Sequence, residues 1–356
     1  MLKAIDFFCG AGGLTRGLLD AGIKVIAGID MNDCCRLTYE KNNRPAKFFH
    51  GDIQEVNLKA IRKLIGNVSS EKLVFTGCAP CQPFSQQRKG EDYSIERTLL
   101  SHFGRLVEEV RPAYVIIENV RGIAKVKGNS TYTRFIKTLS ENGYHYCEGL
   151  LDAKCFGVPQ SRKRWVVIAS RIALPALPDE THGPKLKTQY LTVRHAISHF
   201  PKIRAGENHP RIPNHRTAIL SDINLKRLMA TPKNGGSRRD WPKRLQLTCH
   251  SGEYTGHPDV YGRLKWEHPA PTLTCRCYSI SNGRYGHPEQ HRAISLREAA
   301  ALQSFPDDYV FYGNSQKDIG IQIGNAVPVL MAKALGKAIM NHYVAVKKGE
   351  LHFVKY

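Results

Sequence analysis

Cys81 stands in the run Gly77-Cys78-Ala79-Pro80-Cys81-Gln82-Pro83-Phe84-Ser85, directly after the apolar residues Leu73, Val74 and Phe75. That pattern reads as a buried strand whose carboxyl end presents a thiol on a tight loop framed by prolines. Open α/β sheets bind ligands beyond the carboxyl ends of their strands. Cysteine is the side chain closest to reactive at neutral pH, so Cys81 is a candidate nucleophile. Glu118 follows a second apolar run, Tyr114 to Ile117. A carboxylate held there would lie at the same sheet edge, and partial burial would raise its pKa toward that of a neutral-pH proton donor. An ordinary salt-bridged or capping glutamate is the alternative. Gln160, Arg162 and Arg164 alternate along a segment that leads into a strand. Alternation predicts that they share one side. Two guanidiniums there would suit an anionic substrate or a carboxylate that needs orienting, and a plain basic edge strand is the competing reading.

A second constellation suits a nucleoside cofactor. Asp6-Phe7-Phe8-Cys9-Gly10-Ala11-Gly12-Gly13 opens from a strand through glycines into a helix. Such a turn lets a ligand approach the backbone near the positive end of a helix. The next strand ends in Asp30, placed to bind ribose hydroxyls, and the third in Gly51-Asp52, an acid that could meet an adenine amino group. The full G-x-G-x-x-G spacing of dinucleotide binders is missing. S-adenosylmethionine fits better than a dinucleotide. Cys78 and Cys81 form a lone C-x-x-C, and no second pair lies at zinc-finger spacing, so no metal site is expected. A thioredoxin-like redox pair is the other reading of Cys78 and Cys81, for which the flanking prolines and Gln82 are unusual.

The elements that must position these residues follow from hydrophobic period. Strands are predicted at 3–8, 25–29, 46–50, 73–76, 114–117 and 165–169. Helices are predicted after the glycine turn and at 35–41, 58–65, 95–110 and 132–142. This alternation predicts an α/β fold with a doubly wound, mostly parallel sheet. After about Arg171 the alternation stops, and prolines, histidines and basic residues accumulate. The expected organisation is a catalytic and cofactor-binding domain over 1–170, a smaller irregular domain over 171–262, and a last segment over 263–356. Residues 320–345 of that segment should pack back onto the first domain. The chain has 356 residues, with 52 Lys+Arg against 31 Asp+Glu, a formal net charge of +21. That surplus favours a polyanion, most simply nucleic acid. Arg238 and Arg239, after Lys233-Asn234-Gly235-Gly236-Ser237, are candidate phosphate or base contacts. Neither a signal peptide nor a membrane span is visible, and the ten dispersed cysteines suit a reducing cytoplasm.

Taken in order, these motifs closely resemble the DNA (cytosine-5) methyltransferases, of the bacterial restriction–modification type. Asp6–Gly13 resembles the motif that holds the methionine moiety of S-adenosylmethionine, and Asp30 and Asp52 match the acids for its ribose and adenine. Pro80-Cys81-Gln82 matches the nucleophile loop, Glu118-Asn119-Val120 the acid motif, and Gln160-x-Arg162-x-Arg164 the arginine motif. Pro271-Thr272-Leu273-Thr274 resembles the motif that supports the recognition domain, and Gly324-Asn325-Ala326-Val327-Pro328 the final cofactor motif. The resemblance implies a Rossmann-like methyltransferase fold with a target-recognition domain over 171–262. It implies a cofactor pocket of Phe8, Gly10, Gly12, Gly13, Asp30, Met31, Asp52, Ile53, Pro80 and Asn325. It also implies that Cys81 adds to carbon 6 of a flipped cytosine, with Glu118 at ring nitrogen 3, Arg164 at the carbonyl oxygen and Arg162 ordering the site. Gln82, Ser85 and Arg88 would touch DNA, and 84–97 would close over the base. The expected partner is double-stranded DNA, bound by a monomer whose cognate endonuclease is a separate chain. A tRNA methyltransferase of the same chemistry, an inactive binding protein and a dehydrogenase are the competing readings.

Overall fold

The computed structural model describes residues 1–79, 98–125, 130–248 and 259–351. The chain divides into two compact units. The first holds Met1–Phe156, Lys163–Glu180 and Val327–Tyr356, and the second Gly157–Arg162 and Thr181–Ala326.

The first unit is built on seven strands: β1 (Lys3–Phe7), β2 (Lys24–Asp30), β3 (Lys47–His50), β4 (Leu73–Gly77), β5 (Tyr114–Val120), β6 (His145–Asp152) and β7 (Lys163–Ser170). They form one sheet in the order β3-β2-β1-β4-β5-β7-β6. The first five strands are mutually parallel, and β7 runs antiparallel to both β5 and β6. Strands covered on both faces read as continuous apolar runs. β4 is buried at every position, and β1 and β5 at all but one end residue each. Helices α1 (Gly13–Asp20), α2 (Arg36–Asn42), α3 (Leu58–Ile65), α4 (Leu99–Val110) and α5 (Thr131–Glu141) alternate with the strands, and α10 (Val329–Lys347) closes the unit.

Side chains alternate across each strand, so the two faces have separate cores. Ile5, Phe7, Phe75, Val115 and Ile117 pack with Phe103 and Leu106 of α4 and Phe135 and Leu139 of α5. On the other face Tyr114 bonds to His342 of α10 at 2.8 Å, and Asp6 to Thr15 of α1. α10 crosses α1 closely because two crossing positions lack a side chain. A Cβ on Gly17 would lie 2.4 Å from the Ala332 methyl, and one on Gly336 2.7 Å from the Ala21 methyl.

The second unit carries α6 (Val193–Ile197), α7 (Asp222–Ala230), α8 (Leu296–Leu302) and α9 (Gln316–Asn325), joined by turns and isolated bridges. Its interior uses buried guanidiniums. Arg263 donates to the carbonyls of Leu228, Thr231, His287 and Gln290. Arg292 grips Glu298 with two bonds of 2.7 Å. The boundaries differ from those read off composition. Residues 171–180 stay with the sheet, the irregular unit continues from 262 to Ala326, and the return to the first unit begins at Val327. The strand β6 was not expected, and α4 begins at Leu99 within the described residues. Among the described residues a single helical stretch, Gln316–Lys347, is long and apolar enough to cross a membrane, and most of it is buried inside the protein.

Candidate active site

Sheet register brings the sequence-predicted cofactor residues of the first unit to one edge. Phe7 pairs with Ile29 and Asp30 with His50, so β1, β2 and β3 end side by side. β1 breaks at Phe8, whose φ of 58° is left-handed, as are Gly10 (49°) and Gly12 (89°). A left-handed phenylalanine costs about 1–3 kcal/mol and persists only where its surroundings enforce it. Here the Cys9 amide donates to the Ile29 carbonyl, and the Gly12 amide to that of Cys9. Asp30 then orders the turn. One carboxylate oxygen accepts from the Gly10 amide at 2.8 Å, and the other from the Asn32 amide at 2.8 Å. Burial pushes the Asp30 carboxyl above its ordinary range, and those two amide bonds hold it partway down. Gly13 opens α1 directly behind the turn. Met31 is 64% exposed, Ile53 is buried, and Asp52 is fixed by the Gln54 amide at 2.9 Å. A Cβ on Gly10 would meet nothing within 4 Å, so open space lies above the turn.

Behind the turn lies Asp6, which the sequence marked only as part of a motif. It is 1% exposed and accepts from the hydroxyls of Thr15 (2.7 Å) and Thr76 (3.1 Å). Burial raises its carboxyl to about 7 against the pull of those hydroxyls. The pair ties β1, β4 and α1 together under the turn.

β4 leads through Gly77 to Cys78 and Ala79. Pro80, Cys81, Gln82, Ser85 and Arg88, with the segment 84–97 expected to close over the base, lie outside the described residues. The approach to Cys81 is nevertheless anchored. Buried Asn119 donates its side-chain amide to the Ala79 carbonyl at 3.0 Å, two residues before Cys81. Sequence reasoning named no role for Asn119, although a buried amide at a strand's carboxyl end is the signal that could have found one. Cys78 is held neutral. Burial, then the charge of Glu118, pushes its thiol well above the ordinary range.

Glu118 ends the buried part of β5, opposite Val166, and Arg164 lies opposite Val120 on β7. Arg164 Nε is 3.0 Å from Glu118 Oε1, with side chains only 14% and 8% exposed. A carboxylate buried that far must be paired, and Arg164 supplies the partner charge. The expectation that Gln160, Arg162 and Arg164 act from one side needs correction. Arg162 is buried in the second unit and donates to the Leu273 and Gly324 carbonyls, both at 3.0 Å. Gln160 bonds to the Leu302 carbonyl, the Gln303 side chain and the Leu273 amide. β7 begins only at Lys163, so strand alternation does not reach back to these two residues. Asn325 is the last residue of α9 and is exposed. Arg238 and Arg239 lie on a short 3₁₀ turn capped by Ser237 and Asp240, with Arg239 exposed. No group of three metal-ligating side chains occurs among the described residues.

The sheet and its glycine turn define an α/β methyltransferase-like fold. Two solved structures share it. A DNA modification methyltransferase encoded within an Escherichia coli prophage superposes with a TM-score of 0.74 at 23% identity, over 96% of this chain and 99% of that one. Spodoptera frugiperda DNMT2 gives 0.62 at 17% identity, over 96% and 100%. Residues 2–341 match the family described as C-5 cytosine-specific DNA methylase. Type II methylase M.HgiDII of Herpetosiphon aurantiacus is 40% identical over 341 residues, covering 94% of each chain. Type II methyltransferase M1.HphI of Haemophilus parahaemolyticus is 33% identical over 95% of this chain and 87% of its own. The chain belongs to the C-5 cytosine-specific DNA methylase family, and it is an enzyme.

Proposed function

We propose that the protein methylates carbon 5 of a cytosine flipped out of duplex DNA, using S-adenosylmethionine, and that it protects host DNA beside a separate restriction endonuclease. The Type II names of its relatives support the second part. The observation that carries the first is the buried Arg164–Glu118 pair at the sheet edge where the Asn119-anchored segment leads to Cys81.

The edge residues fit the cofactor. Gly10 leaves open space over the turn, Asp30 and Asp52 offer carboxylate oxygens suited to hydroxyl and amino donors, and Ile53 and Phe8 offer apolar contact. Gly12, Gly13, Met31, Pro80 and Asn325 complete the proposed set. When bound, S-adenosylmethionine supplies the methyl group as an electrophile. Cys81 adds as thiolate to carbon 6 and makes carbon 5 nucleophilic, and it leaves once the carbon 5 proton is lost. Glu118 hydrogen-bonds ring nitrogen 3 as charge builds there. Arg164 holds both Glu118 and the base's carbonyl oxygen. The base must leave the stack, because none of these atoms is reachable inside a duplex. The net charge of +21 suits DNA, with Gln82, Ser85, Arg88, Arg238 and Arg239 as proposed contacts. The reaction belongs in the cytoplasm, with the protein acting as a monomer.

Transfer of labelled methyl groups to duplex DNA and to tRNA tests this reading. DNA should be labelled and tRNA should not. A covalent adduct with 5-fluorocytosine DNA should form and disappear in Cys81→Ser. Labelling of tRNA alone overturns the proposal.

A further inference from the structure

Every helix ends with carbonyls that lack helical partners. At the end of α9 these are met by side chains from elsewhere in the second unit. Gln303 donates to the Ile323 carbonyl at 2.7 Å, and Arg162 to the Gly324 carbonyl at 3.0 Å. Arg162 also donates to the Leu273 carbonyl, so it ties the segment 273–275 to the helix end. Gln160 braces both neighbours, donating to Gln303 and accepting from the Leu273 amide. Gly324 makes the crossing possible. A Cβ there would lie 2.4 Å from the Thr274 carbonyl carbon and from the Cys275 nitrogen. The segment therefore lies directly across the last turn of α9. At that crossing the Cys275 thiol donates to Oδ1 of Asn325 at 3.0 Å.

We propose that Cys275 is a positioning residue for Asn325, an inference that rests on the reading of Asn325 as a cofactor contact. Arg162 and Gln303 hold the backbone beneath Asn325, and Cys275 holds its side chain. With Oδ1 taken by the thiol, the amide NH₂ is turned away from Cys275 and is the donor that the cofactor reading assigns to Asn325. Arg162 then acts through this junction and not on the base.

The test is binding of S-adenosylhomocysteine to the full chain by calorimetry, with steady-state methyl transfer alongside. Cys275→Ala and Cys275→Val, which cannot donate, should each bind about fivefold more weakly, the worth of one hydrogen bond. KM for S-adenosylmethionine should rise by the same factor with kcat unchanged. Cys275→Ser keeps a donor and should bind as the wild type does. In the double variant with Asn325→Ala, the loss from Cys275→Ala should vanish. Wild-type binding by both non-donors, a Ser variant as weak as Ala, or full additivity with Asn325→Ala overturns the inference alone. A wild type that binds no S-adenosylhomocysteine overturns the cofactor reading beneath it.

Discussion

Replacing Arg164 with methionine removes the charge that faces Glu118 while keeping most of the side chain's bulk. Glu118 Oε1 is buried, and Arg164 Nε lies 3.0 Å from it. Removing one partner of a buried pair leaves an uncompensated charge, which costs about 3–5 kcal/mol. The residual exposures of 14% and 8% place the expected loss near the lower end, about 3 kcal/mol. A typical domain is stable by only about 5–15 kcal/mol, so Arg164→Met should fold but unfold at clearly lower urea. If the cost is the stranded charge, neutralising Glu118 must relieve it. Arg164→Met with Glu118→Gln should therefore be more stable than Arg164→Met alone by most of the same 3 kcal/mol, although methyl transfer stays lost. Urea unfolding of the two single variants and the double variant, treated as a double-mutant cycle, measures this. A loss below about 1 kcal/mol in Arg164→Met, or no recovery in the double variant, would refute the assignment of a buried, mutually dependent pair.

Other perturbations follow from the same geometry. Asn119→Ala strands the buried Ala79 carbonyl, at about 1–3 kcal/mol, and loosens the approach to Cys81. Its kcat should fall at least about tenfold with KM for DNA little changed, and an unchanged kcat in steady-state assays would contradict that anchoring. Asp6 has its folded carboxyl raised to about 7, so the fold holds a proton that the unfolded chain releases near pH 4. Its stabilising share is thus present below about pH 4 and lost as pH rises through 7, by at most about 4 kcal/mol. Melting temperature against pH should decline less over that window in Asp6→Asn than in the wild type, and parallel curves would exclude the effect. Burial pushes Glu298 up, but the charge and bonds of Arg292 outweigh it and hold the carboxyl down to about 2. That contribution is present above about pH 4.5 and lost toward pH 2. Glu298→Gln should therefore lie below the wild type at pH 7 and converge with it in acid melts.

Much of this was legible before the structure, for reasons that differ by element. β1, β4 and β5 announce themselves because strands covered on both faces are uninterrupted apolar runs. β6 was missed because it is an edge strand, half exposed, and its residues His145-Tyr146-Cys147-Glu148-Gly149 carry no clean period. The glycine turn is visible as composition, but the left-handed Phe8 within it is not, since nothing in a phenylalanine's identity requests φ of 58°. Composition marked where α/β alternation stops, yet it misplaced the boundary of the second unit. Arg263, Arg292 and Arg297 are fully buried there, and in a sequence they look like surface charge. The reach of Arg162 was lost for a similar reason. Its partners, the carbonyls of Leu273 and Gly324, are more than a hundred residues away and leave no mark on side-chain pattern.

Cys78 of the C-x-x-C shows how surroundings set the reactivity of a thiol that sequence leaves open. Oxidation to a disulfide and ligation of a metal both proceed through the thiolate. The Cys78 thiolate would form in a half-buried, desolvated site facing the carboxylates of Glu118 and Asp6, with Arg164 opposing them, and its thiol accordingly stays protonated. The same Glu118 that suppresses Cys78 is neutralised by Arg164 on its other side. The nucleophile we propose is therefore Cys81 and not Cys78.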